Sequence, residues 1–196
     1  MDRSSPSLLP IFRSQQQAEL LAAVLGEPEA EPTLTELAAR LEIPYASVHR
    51  EIERAEAAGL LTSRKIGRAR LVRANTDSPY YRGLAEILTR AFGVPAVLSA
   101  MLTAVDGISA AFVFGSWAAR QAGEVGPRPV EDIDLLILGE PDRDDLYRAI
   151  DGVSPRLGRS VQVTIRSADW LAAGVGTFHD TVVDRPMEPI PIRSTR

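Results

Sequence analysis

Asp132 and Asp134 stand two residues apart at the head of an apolar run, Asp132-Ile133-Asp134-Leu135-Leu136-Ile137-Leu138. On a strand, residues at this spacing point to one face, so the two carboxylates project together while Ile133 turns into the core. Carboxylates held side by side repel each other, and a divalent cation between them relieves the repulsion. Upstream, the apolar run Ala110–Phe114 reads as a buried strand that ends at Gly115-Ser116. A glycine at that turn lets the backbone come close to a ligand. The first amides of a helix over Trp117–Ala122 would point at an anion.

A second set of residues carries charge. From Leu61 to Arg73 every charged side chain is basic: Arg64, Lys65, Arg68, Arg70 and Arg73. In residues 1–75 as a whole, ten Lys and Arg are matched by ten Asp and Glu. The basic charge is therefore local to this stretch. The whole chain of 196 residues has a net charge of −4, so any contact with nucleic acid must come from such a patch rather than from global charge.

Elements must position both sets. Ser14–Leu25 reads as an amphipathic helix with Ala18, Leu21, Val24 and Leu25 on one side. Thr33 with Glu36 three residues on is a capping box that opens a helix over Leu34–Leu41. The turn Glu42-Ile43-Pro44 leads to a helix over Tyr45–Ala58, ended by Gly59. Leu60–Lys65 and Arg68–Ala74 alternate like two strands around Ile66-Gly67. Tyr80–Phe92 carries a helical stripe of Tyr81, Leu84, Leu88 and Ala91, with Tyr80 and Ile87 beside it. Helices are expected over Pro95–Val105, Asp144–Ile150 and Ala168–Ala172, the last capped by Ser167, and a strand over Ser160–Ile165. The tail from Gly174 shows little periodicity, with Val182-Val183 and Ile190–Ile192 as edge-strand candidates.

Three helices followed by a two-stranded hairpin form a winged helix-turn-helix. The stretch Leu34–Leu61 resembles the DNA-binding core of ArsR- or MarR-like bacterial repressors, with Leu37, Ala38, Leu41, Ile43, Val48, Ile52 and Ala55 as the packing positions. The resemblance implies a double-stranded DNA partner. Tyr45, Ser47, His49, Arg50 and Arg54 on the second helix of the motif would face bases and backbone, and Arg64, Lys65, Arg68 and Arg70 in the wing would face phosphates. The helix after the wing would pack between the domains or against the same helix of a second copy; a homodimer is preferred, because DNA half-sites come in pairs.

Gly115-Ser116 after a strand, then Asp132-x-Asp134 at the head of the next, resembles the polymerase-β-like nucleotidyltransferases, especially the minimal ones. The resemblance covers residues 94–170. It implies that Gly115 and Ser116 hold a nucleoside triphosphate, that Asp132 and Asp134 bind Mg2+ and are catalytic, and that Arg120 pairs with phosphate. A third acid on a later strand completes the site in that family. Here the matching position on the strand Ser160–Ile165 is Gln162, and no Asp or Glu lies between Asp151 and Asp169. Glutamine neither accepts the acceptor's proton nor adds charge for a second cation. Glu131 adds a negative charge beside the pair, and the loop Gly123–Val130 is longer than in the smallest members.

The expectation is an α+β chain: a loose arm at 1–9, a winged helix-turn-helix at 10–75, a linker or dimerisation helix at 76–93, and a nucleotidyltransferase α/β domain with a mixed sheet at 94–196. One reading is a transcriptional regulator whose second domain binds a nucleotide or a protein with little or no transfer. The other is an active Mg-dependent enzyme moving AMP to a protein, RNA or small molecule, including an antitoxin that acts on a toxin partner. No cysteine is present, which excludes disulfides and thiolate chemistry and fits a reducing cytoplasm. The first residues lack a signal-peptide core, and no run is expected to span a membrane.

Overall fold

The structure, a computed structural model, describes residues 11–124, 130 and 132–192. The chain divides into two units, Met1–Ala96 and Val97–Arg196.

In the first unit, α1 (Gln15–Leu25) starts where the Ser14 side chain accepts a hydrogen bond from the Gln17 amide. The short α2 (Leu34–Arg40) has both halves of its capping box: the Thr33 hydroxyl accepts from the Glu36 amide, and the Glu36 carboxylate accepts from the Thr33 amide. Pro44 precedes α3 (Tyr45–Ala57), whose inward face is Val48, Ile52 and Ala55. Gly59 ends it at φ +70, with the Leu60 amide reaching back to the Ala55 carbonyl at 2.9 Å. That six-to-one bond is the Schellman closure, and it needs a residue that tolerates left-handed backbone. The hairpin β1 (Leu61–Ile66) and β2 (Ala69–Ala74) is antiparallel, and its loop is Gly67-Arg68, one residue later than expected. The Val72 amide donates to the Pro32 carbonyl and Thr33 bridges to Leu71, so the chain before α2 lies along the hairpin's second strand.

Next, α4 (Tyr81–Phe92) uses the predicted stripe within its own unit. Leu88 and Phe92 are buried in the same core as α1, and Tyr81, Leu84, Ala85 and Ala91 pack against it. Phe12 meets Phe92 edge-on at 5.2 Å, and the Tyr81 hydroxyl donates to the Leu25 carbonyl. Tyr80 and Ile87 stay exposed. The stripe thus closes the winged helix core rather than serving only as a linker. Full burial of each such leucine contributes about 1.5–3 kcal/mol.

The expectation that no run reaches membrane-spanning length is corrected. The helical stretch Tyr81–Leu102 has 22 residues and is long and apolar enough by length and composition. Gly93, in extended backbone, divides it into α4 and α5 (Val94–Leu102), and Leu88, Phe92, Leu98 and Leu102 are buried in protein.

The second unit holds a four-stranded sheet among the described residues, ordered β5-β4-β3-β6. The strands are β3 (Ile108–Phe114), β4 (Asp132–Gly139), β5 (Ser160–Arg166) and β6 (Glu188–Ile190). β3 pairs antiparallel with β4 and β6, while β4 and β5 are parallel. The sheet is mixed, as expected. Two helices connect the first three of these strands among the described residues. α6 (Gly115–Gln121) packs on β3 and β4. α7 (Arg143–Leu157), capped by Asp142, is the crossover that a parallel pair requires and packs on β5. It runs seven residues past the expected end, through Pro155, and stops at Gly158 in left-handed backbone at φ +66.

The tail corrects two further expectations. Thr177–Val183 is a helix, α9, so Val182-Val183 is not an edge strand. The edge strand is β6, beside β3. The short α8 (Trp170–Ala173) follows Asp169, and Ser167 donates to the Asp169 carboxylate instead of capping the helix.

Candidate functional site

The helix-turn-helix is built by local rules. Leu41 ends α2, Glu42 takes left-handed backbone at φ +53, and the Ile43 amide returns to the Ala38 carbonyl. This turn sets α3 with Val48, Ile52 and Ala55 inward. Tyr45, Arg50 and Arg54 are exposed on α3, while Ser47 and His49 are half-buried. Arg50 donates to the Ser47 hydroxyl at 3.1 Å, and Arg54 pairs with Glu51 at 2.5 Å. His49 lies 3.4 Å from Glu53.

The hairpin's basic residues divide into two kinds. Arg64 is held by Glu31, its Nε 3.1–3.2 Å from both carboxylate oxygens. That guanidinium holds the Glu31 carboxyl below its ordinary range, and the hydrogen bond to Glu31 raises Arg64 in turn. Arg70 turns to α3: it pairs with Glu56, lies 3.3 Å from His49 and donates to Ser63 at 3.1 Å. Lys65 and Arg68 sit exposed at the tip and have no acidic partner among the described residues. Arg73, at the base, is also exposed and donates to the Thr62 hydroxyl. Arg64 and Arg70, between base and tip, are balanced by the chain's own acids, a division the sequence did not disclose because Glu31 and Arg64 are 33 residues apart.

In the second unit, register places the acids. Ile133 is fully buried, and Asp132 and Asp134 leave the other face of β4, both half-buried. Across the strands, Asp134 is opposite Phe114 on one side and Gln162 on the other, and Asp132 is opposite Ser160. Burial first, and the charge of Asp132 second, raise the Asp134 carboxyl above its ordinary value of 3.8. Gly115, at φ +71, begins α6 two residues before the expected start. A Cβ there would lie 3.0 Å from the Asp134 Cγ and collide with its carboxylate, so only glycine allows this approach. Ser116 is exposed beside it, and Arg120 lies in the last turn of α6.

Two carboxylates on one face of β4 offer the oxygen ligands that a divalent cation takes. No group of three potential metal ligands occurs among the described residues. Glu131 and most of the loop Gly123–Val130 lie outside the described residues.

An aromatic group on the same face was missed by sequence reasoning. Trp170, Leu171 and Val182 cover the far part of the carboxylate face with Phe112, Phe114, Leu136 and Leu138. Phe178 lies against Phe114 and Trp170. The only signal was the four-residue spacing of Phe178 and Val182. Trp117, by contrast, is a buried packing residue.

The class defined is a winged helix unit joined in one chain to a mixed α/β unit with an acidic edge. Residues 13–70 match the model of the MarR family, in keeping with the winged helix-turn-helix of the N-terminal unit. No curated protein and no solved structure matches the chain.

Proposed function

We propose that this chain is a DNA-binding transcriptional regulator whose second unit binds a nucleotide on a nucleotidyltransferase-like site and transfers little or nothing. The DNA half is supported by the MarR-family match together with the exposed Lys65 and Arg68 at the wing tip and Arg50 on α3. Lysine and arginine there meet phosphates, and Tyr45, Ser47 and His49 stand where a recognition helix reaches base edges. A homodimer on paired half-sites goes with this reading.

The nucleotide half is carried by one observation: Asp132 and Asp134 share a face beside Gly115-Ser116, and the neighbouring position on β5 is Gln162. Asp132 and Asp134 would hold Mg2+, which when bound supplies charge neutralisation for a triphosphate. Ser116 would meet the phosphates. Gln162 leaves the acceptor hydroxyl without a carboxylate to take its proton.

A working transferase, with a toxin-like protein, RNA or small molecule as acceptor, is the second reading. The observation on its side is that both carboxylates keep part of their surface open to solvent. The test is duplex binding to fragments from the protein's own upstream region, with and without Mg-ATP, run beside incubation with labelled ATP, magnesium and lysate. The regulator reading expects duplex binding that changes with nucleotide and no label transfer. Transfer that disappears in Asp134→Ala would replace it with the enzyme reading. Binding of neither DNA nor ATP would end both.

A further inference from the structure

Phe178 is a large aromatic side chain 42% exposed on the carboxylate face of the sheet. It is held in place from two sides. Phe114 meets it edge-on at 6.1 Å, and Trp170 lies 5.7 Å away at an interplanar angle of 39°. Phe114 is the residue directly opposite Asp134. The supported ring therefore stands one side chain away from the acid pair.

Arg166 completes the arrangement. It is four residues from Gln162 on β5 and leaves the same face. Its guanidinium lies 5.3 Å from the centre of the Phe178 ring and 5.7 Å from that of Trp170. It donates to the Ile165 carbonyl at 2.9 Å and has no acidic partner among the described residues. An exposed guanidinium laid on aromatic rings keeps in-plane N–H donors available.

We propose that Phe178, backed by Phe114 and Trp170 and flanked by Arg166, receives the base of a nucleoside triphosphate whose phosphates lie toward Asp132 and Asp134. The proposal rests on the nucleotide reading above and names the residues that would recognise the nucleoside part. Every base offers a π-face, and stacking on an aromatic ring is tolerant of base identity. The donors of Arg166 suit the carbonyl and ring-nitrogen acceptors at a base edge. With a cation held by the two acids, an apolar ring left open beside them suits a ligand that is anionic at one end and aromatic at the other.

The experiment compares Mg-ATP with Mg-tripolyphosphate by titration calorimetry on the full chain. The variants are Phe178→Ala, Phe178→Leu, which keeps apolar bulk but removes the π-face, and Phe178→Trp, each checked by thermal melting. The expected result is about tenfold weaker Mg-ATP binding in the alanine and leucine variants, the scale of removing one base stack, with Mg-tripolyphosphate unchanged and Mg-ATP binding retained in the tryptophan variant. Equal binding of Mg-ATP by the native and leucine proteins would overturn the platform and leave the phosphate site standing. So would an equal loss of both ligands in proteins that melt like the native one. If the native protein binds neither ligand, the nucleotide reading itself fails and takes the platform with it.

Discussion

Asp134 and Gln162 are paired neighbours in the parallel β4–β5 ladder, so their side chains leave the same face of the sheet. An amide thus stands where a third negative charge would tighten a cation site. It can hydrogen-bond to a carboxylate but cannot balance a second cation or take a proton from an attacking hydroxyl. On the proposed reading, this one position separates a site that holds a nucleotide from one built to react it.

Replacing the amide tests that separation. Gln162→Asp should lower stability by on the order of 1 kcal/mol in a chelator, because a third carboxylate joins two others across a partly solvated gap. Magnesium should return the lost stability and stabilise the variant more than the native protein. Thermal melts with and without magnesium read this directly. A variant indifferent to magnesium would show that the row does not converge on a cation.

Asp134 carries its own pH signature. Its folded-state carboxyl lies above the ordinary 3.8, through partial burial and then the Asp132 charge. The folded state therefore holds the proton more tightly than the unfolded chain does. That contribution to stability is complete below 3.8 and is lost as pH rises through the raised value. At neutral pH the ionised group weighs against the fold. Asp134→Asn should melt above the native protein at neutral pH, and the advantage should shrink on acidification and vanish below 3.8. A variant that melts lower at neutral pH would reveal a favourable partner for the carboxylate.

The wing's two kinds of cation should behave differently on DNA. Charge reversal at Lys65 or Arg68 should weaken all duplex sequences alike and reduce the salt slope by about one for each phosphate no longer neutralised. Arg64→Ala should cost less, because Arg64 is already held by Glu31. Glu31→Gln should strengthen binding by freeing that guanidinium. Fluorescence anisotropy over a salt series distinguishes these outcomes. Equal weakening at Arg64 and Lys65 would show that Glu31 releases Arg64 on DNA.

One buried hydroxyl in the winged helix core has no partner among the described residues. Thr89 Oγ1 is buried, lies where a Cβ on Gly26 would meet it at 2.8 Å, and makes no hydrogen bond there. Thr89→Val keeps the shape and removes the unsatisfied group, and should stabilise the protein by about 1 kcal/mol in denaturant unfolding. Destabilisation would mean that a water reaches the hydroxyl.

Much of the fold was legible because its signals are local. The caps at Ser14 and Thr33, the stop at Gly59 and the outward alternation of Asp132 and Asp134 each depend on neighbours within a few residues. The inward pattern Val48, Ile52, Ala55 likewise fixes which side of α3 faces out. Where local signals conflicted, the reading failed. The helix expected to end at Ile150 runs on to Leu157, and the pair Val182-Val183 read as an edge strand although Val182 is kept helical by the core it completes.

Charge partners and ring clusters depend on which distant segments meet, and no periodicity reports that. Five cations in one stretch read as a uniform basic wing. Folding brought Glu31 to Arg64 and Glu56 to Arg70, and left Lys65 and Arg68 at the tip. Sequence determined which residues face outward, because side-chain direction follows from the backbone repeat. Tertiary structure decided which outward charges and rings meet one another, because that depends on how separate elements pack in space.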